Sequence, residues 1–171
     1  AAARVGARHR QLAVVVALLA LVPPALAPTC ADANGDGEAS DAFACTLNND
    51  KFGFSVSLSG NTLAVGALWD DSNQTTIING TTASSNNSNI DSGAAYVYKR
   101  SGTSWAQEAY IKAANSEFDD NFGGWEGSNM ISLDKDTLVV GAIREDSNQT
   151  SITNGTSASS NNSAGDSGAV Y

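Results

Sequence analysis

The sequence predicts an all-β fold of repeated, four-stranded antiparallel sheets. Two observations carry that prediction: the chain repeats itself at long range, and each copy divides into short strand-like runs separated by turn residues. The passage DDSNQTTIINGTTASSNNSNIDSGAAY at 70–96 returns as EDSNQTSITNGTSASSNNSAGDSGAVY at 145–171, with 20 identities over the 28 aligned pairs of 69–96 and 144–171. The Gly-Ala pairs at 66–67 and 141–142 are 75 residues apart, as are the Ser-Gly pairs at 92–93 and 167–168. The Phe-Gly pairs at 52–53 and 122–123 are 70 apart, which places five extra residues early in copy two, at 124–128.

Taken in chain order, residues 1–29 read as a signal peptide and its cleavage region. ARVGARHR is a basic start, LAVVVALLALV (12–22) is an apolar run of 11, and PPALA ends in small residues at Ala25 and Ala27. At about 1.5 Å per residue such a run reaches only half way across a bilayer core. No stable membrane span is therefore expected, and the chain is expected to be exported. Pro28 sits awkwardly after the cut suggested by Ala27, so the cleavage site stays unassigned. Residues 30–49 form an acidic segment bounded by Cys30 and Cys45, which are expected to pair in an oxidising compartment. The net charge is −9, and without the basic start 6 basic face 18 acidic residues. Nucleic acid is a poor partner for such a surface.

Copy one then opens with FSVSLSG, where Val56 and Leu58 alternate with Ser55 and Ser57, the period of a strand with one polar face. The turn Ser59-Gly60-Asn61 leads to NTLAVGA, and Asp134-Lys135-Asp136 takes the same place in copy two. GAAYVYKR sets Tyr96 and Tyr98 on one side and Val97 on the other, and SWAQEAYIKA follows the turn at Ser101-Gly102. Each copy thus reads as four antiparallel strands with a long polar loop between the second and third. One such sheet leaves edges open and a face uncovered. Repeated sheets cover their faces by stacking as blades of a β-propeller. The units are blade one at 50–119 and blade two at 120–171, about two blades of an incomplete ring. Trp105, Tyr96, Tyr98 and Tyr110 are expected to fill the space between blades, and Trp125 is the aromatic expected to be exposed.

DKFGFSVSLSGNTLAVGA and DNFG…LVVGA resemble the FG-GAP repeat, the blade unit of the integrin alpha-chain propeller, and the resemblance spans 50–171. The passage SGAAYVYKRSGTSWAQEAYIKAANSEFDDNFG is similar to the blade-to-blade stretch of secreted FG-GAP proteins outside the integrins. Two departures stand out. Leu68 and Ile143 occupy the place of the family's proline. The connection that carries an Asp-rich Ca²⁺ loop in integrin blades is a three-residue turn here. It cannot supply the 6–8 oxygens Ca²⁺ takes.

ADANGDG (31–37) is the metal candidate. Asp32, Asn34 and Asp36 fall at loop positions 1, 3 and 5, with Gly37 at the sharp turn, but Phe43 occupies the position of the bidentate acid. The half-motif between two cysteines also resembles the tail of a calcium-binding EGF-like module. A Ca²⁺ site and a solvated turn within a disulfide loop both stand as readings, and no other cofactor is implied. The polar loops carry six Asn-x-Ser/Thr sequons, at Asn73, Asn79, Asn86, Asn148, Asn154 and Asn161, all expected in loop rather than strand. Asp70, Asp71 and Asp91, matched by Glu145, Asp146 and Asp166, flank the loops and suit the capping of backbone N–H groups at their base. Catalysis is not expected. The single histidine, His9, lies in the targeting segment, and the paired carboxylates occur in both copies, unlike a unique acid–base pair. The expected function is an extracellular binding or adhesion module whose loops meet a protein or glycan, secreted or at the cell surface. The alternatives are a structural cell-surface scaffold without a ligand, or a non-catalytic part of a larger secreted enzyme.

Overall fold

The computed structural model describes residues 50–84, 86–125 and 127–171. The predicted signal peptide, Cys30, Cys45, Asp32, Asn34 and Asp36 lie outside the described residues. Alternation of apolar and small side chains builds the first sheet. Strands β1 (Phe52–Ser59) and β2 (Thr62–Ala67) close on the two-residue turn Gly60-Asn61, with Ser59 opposite Thr62. Strand β4 (Ala94–Ser101) pairs with β2 and then with β5 (Ser104–Ile111), all antiparallel. The four predicted strands are present, but the sheet has a fifth. β3 (Ile77–Asn79), from within the polar passage, crosses to the far edge and pairs with β5, giving the order β1-β2-β4-β5-β3. Its Ile78 packs against the core of the sheet, which supplies the apolar anchor for so short a strand. Asn79 therefore stands at the end of a strand and not in a loop, as the sequence had suggested.

The second sheet holds β6 (Ile131–Asp134), β7 (Thr137–Ala142) and β8 (Ala169–Val170) in that order. Its backbone repeats the first even where sequence differs. Positive φ recurs at Lys51 and Asn121, at Asp91 and Asp166, and at Gly60 and Lys135. The described residues are all-β, in two antiparallel sheets of blade type.

The sheets meet through opposite kinds of face. On the first sheet, Ser55, Ser57, Ala64, Gly66 and Ala95 share one side, since Ser57 pairs with Ala64 and Gly66 with both Ser55 and Ala95. On the second, Ile131 pairs with Val140 and Leu133 with Leu138. These bulky residues join Ala64, Ala95 and Phe122 in one buried cluster between the sheets. Small residues on one face leave room for large ones on the other, as close packing requires. The serine side of β1, read as a polar face, is thus an interior surface. Ser57 Oγ accepts the Leu133 N–H at 2.9 Å and Ser59 Oγ accepts that of Lys135 at 2.8 Å.

The aromatic residues lie elsewhere than expected. Tyr96, Tyr98 and Tyr110 sit on the opposite, bulky face of the first sheet, in a separate cluster with Leu63, Val65 and Phe52. Phe52 meets Tyr96 edge-on at 5.3 Å, and Phe122 meets Tyr171 in the same way at 5.4 Å. On the inter-sheet side the first sheet presents small residues, and the aromatics that pack there are Phe122 and, from the second sheet, Tyr171. Trp105 is half-buried. So is Trp125, against expectation, because the Arg144 guanidinium covers its ring at 5.8 Å.

The Phe-Gly and Gly-Ala pairs clasp one sheet to the other. Phe122 bridges Gly93 of the first sheet and Ala142 of the second, and its N–H donates to the Ser92 carbonyl at 3.0 Å. Gly123 N–H donates to Gly141 at 2.9 Å, while its own carbonyl accepts the buried Ser55 hydroxyl. Gly123 has φ +86° and lies against the Ala94 carbonyl. A Cβ on Gly66 would fall inside contact distance of the Gly123 carbonyl oxygen.

Candidate functional site

The two polar passages are organised from their bases. In copy one the Asp70 carboxylate accepts the Ser72 N–H at 3.1 Å, an Asx turn, and Asp71 accepts the Asp91 N–H at 2.8 Å across the neck of the loop. The Ser92 hydroxyl donates to the carbonyls of Asp70 and Ser72, and Gly93 N–H donates to Asp70 at 2.9 Å. Copy two repeats each contact. Glu145 accepts from Ser147 at 3.0 Å, Asp146 from Asp166 at 2.7 Å, and Ser167 donates to the carbonyls of Glu145 and Ser147. The flanking carboxylates therefore cap backbone N–H groups, as their placement suggested. No group of three or more metal-ligating side chains occurs among the described residues.

The first base carries one charge pair that the sequence did not disclose. Lys112, just past β5, places its ammonium 3.0 Å from Asp70 and 2.7 Å from the Ser92 hydroxyl, and both Lys112 and Asp70 are buried. Tyr110 donates to Asp70 at 2.8 Å, and Tyr96 does so at 3.3 Å. Burial pushes the Lys112 ammonium below the ordinary lysine range, against the opposing pull of Asp70. Burial likewise raises both phenols, with the Asp70 charge adding to it. The signal was present: Lys112 is two residues from Tyr110, so a period of two puts it on the apolar side. In copy two Asn115 meets Glu145 at 2.5 Å and also donates to the Ser159 carbonyl at 2.8 Å, tying the second loop to the segment before it.

At the junction between copies, Asp120 is buried and accepts the Glu117 N–H at 2.7 Å. Burial raises its pKa to about 7, helped by the charges of Glu145, Glu117 and Asp146 and opposed by the Glu117 N–H. The folded state thus holds this proton more tightly than the unfolded state does. Stability contributed by the protonated acid is present at low pH and falls as pH rises from about 3.8 through about 7. Asp120→Asn keeps the acceptor for Glu117 and removes the charge. It is expected to flatten that fall and to raise stability above neutral pH by on the order of 1–2 kcal/mol, after allowance for solvent screening. Denaturation midpoints on both sides of the window check this, and parallel curves for the two proteins would refute it.

All six sequon asparagines are exposed. The Asn86 side chain accepts the Ser88 N–H at 3.0 Å and the Ser88 hydroxyl at 2.7 Å, and Asn161 accepts the Ser163 N–H at 3.1 Å. These are local turns that hold the loop tips.

Residues 46–98 match the family model of the FG-GAP repeat. Neither the search of curated proteins nor that of solved structures gave a match. The matched stretch contains Phe52-Gly53 and Gly66-Ala67, whose counterparts in copy two show how such pairs join neighbouring sheets. Residues 46–98 are similar to the FG-GAP repeat, and the unit that follows repeats its positive-φ positions.

Proposed function

We propose that this chain is an extracellular β-propeller module that engages a protein or glycan partner through its long loops, as a secreted or cell-surface adhesion protein. One observation carries the reading: both copies secure the same loop by the same contacts at its base, while the loop tips stand out in solvent. Rigid anchors beneath exposed polar tips suit recognition. The FG-GAP repeat supports an extracellular setting, and no helix among the described residues is long and apolar enough to cross a membrane. A non-catalytic role agrees with the Ser92–Lys112 pair. Its hydroxyl and ammonium are buried and engaged in the loop base, out of reach of a substrate.

The six exposed sequons are proposed glycan attachment sites. Mass spectrometry of protein from a glycosylating host, before and after glycosidase, is expected to show a mass loss localised to peptides containing these asparagines. An unchanged mass refutes the assignment. The binding reading is tested by presenting the full chain to arrays of glycans and extracellular proteins. Retention that disappears when residues 81–88, beyond β3, are replaced by a short Gly/Ser linker supports it. Failure of the folded chain to retain any ligand favours the scaffold.

A further inference from the structure

Three strand ends converge beneath the first loop. Asp70 lies just past β2, Ser92 just before β4 and Lys112 directly after β5, and these strands are consecutive neighbours in the sheet. The convergence sets an amine against a carboxyl group in a place closed to water. Lys112 Nζ is 3.0 Å from Asp70 Oδ1, and the two side chains are 0% and 6% exposed. Each Asp70 oxygen has a phenol directed at it: Tyr110 donates to Oδ1 at 2.8 Å and Tyr96 to Oδ2 at 3.3 Å. The Ser72 N–H adds a further donor to Oδ1 at 3.1 Å. Ser92 Oγ accepts from the Lys112 nitrogen at 2.7 Å and holds it in place. A second carboxylate, Asp50, is buried here too, and its charge acts on Lys112 and on both phenols. Burial disfavours the charged form of each partner, so passing a proton along the contact to give amine and acid costs less than in water. Reactants held at this distance have the effective concentration of an intramolecular pair.

We propose that Lys112 and Asp70 join in the folded chain as an isopeptide, an amide between the two side chains. The ammonium first gives a proton to the carboxylate. The amine lone pair then forms a bond to Asp70 Cγ. The phenols and the Ser72 N–H stabilise the charge that develops on the two oxygens. Asp50 takes a proton from the nitrogen and returns one to the leaving oxygen. One C–O bond breaks and one water departs, with no oxidant, reductant or other reactant involved. The product is a closed ring of residues 70–112 that contains β3, β4, β5 and the polar loop. It staples β2 to β5 over the end of β4. The ion pair is the state in which the chain first folds, and stability differences that depend on it belong to the chain before this reaction.

The test follows the full chain as isolated and after ageing in its native state, with a sample kept in urea from synthesis onward. Intact mass is expected to fall by one water in the native samples only, and digestion is expected to yield a branched peptide joining Asp70 to Lys112. Lys112→Arg keeps the charge without the amine and is expected to abolish the branched peptide. Asp50→Asn leaves the reacting pair intact and is expected to slow its joining by about 100-fold or more. Asp70→Asn is expected to give the same branched peptide with loss of ammonia in place of water. A lost water without the branched peptide, as from an imide at Asp70 alone, overturns the proposal. So does an aged chain with native hydrogen-exchange protection from which Asp70 and Lys112 are recovered only in linear peptides.

Discussion

Asp70→Ala is expected to destabilise the chain by about 3–5 kcal/mol, the cost of leaving a buried charge without its partner. The carboxylate receives Lys112, Tyr110, Tyr96 and the Ser72 N–H, so one truncation takes an acceptor from four donors beneath the loop. Lys112→Met keeps an apolar stem of similar length and leaves Asp70 its two phenols. Its expected cost is smaller, since three hydrogen bonds still reach the carboxylate. The double variant is expected to lose less than the sum, because the second change removes the charge that the first had stranded. Urea denaturation with an unchanged slope gives these differences. The network idea fails if Asp70→Ala shifts stability by less than about 0.5 kcal/mol, the range of an ordinary surface change. Hydrogen exchange offers a second readout, since the Ser72 and Gly93 amides are expected to lose protection together.

Gly66→Val tests the clasp. Its Cβ would run into the Gly123 carbonyl and the Ser55 hydroxyl, and backbone cannot swing aside as a flexible side-chain tip can. The sheets must part, with an expected loss of about 3 kcal/mol or more, at and beyond the upper range for an overpacked site. Gly60→Ala is the matched control. Gly60, unlike Gly66, has positive φ, at +58°, and nothing lies within 4 Å of an added Cβ. Conformational strain alone applies there, about 1–2 kcal/mol. If the two variants cost the same, close approach is not what position 66 requires.

Much of this architecture was legible because strands announce themselves by alternation. FSVSLSG, NTLAVGA, GAAYVYKR and SWAQEAYIKA all form strands, and the turns at Gly60-Asn61 and Lys135-Asp136 fall where expected. The loop bases were legible too, since twin carboxylates at both ends of a repeated passage have a local purpose. Which side of the sheet was interior was harder to read. Ser55 and Ser57 are polar, but what matters at that interface is that they are small and can serve a neighbour's backbone. Strand β3 was hidden because Ile77-Ile78 is a two-residue apolar island in a polar passage. Its partner, Tyr110-Ile111, lies far along the chain. Lys112 went unseen for a related reason: a lone lysine near a strand end reads as solvated until a carboxylate from another segment is placed against it.

The unlike faces of each sheet also set how a tandem copy behaves. Contact between a bulky side and a small side is heterologous: head meets tail, and a third unit could join only in the same sense. One unit already carries both halves of its own joint. Copying it therefore produces a neighbour that fits without any new surface having to arise, and two passages as alike as 69–96 and 144–171 are what such copying leaves behind.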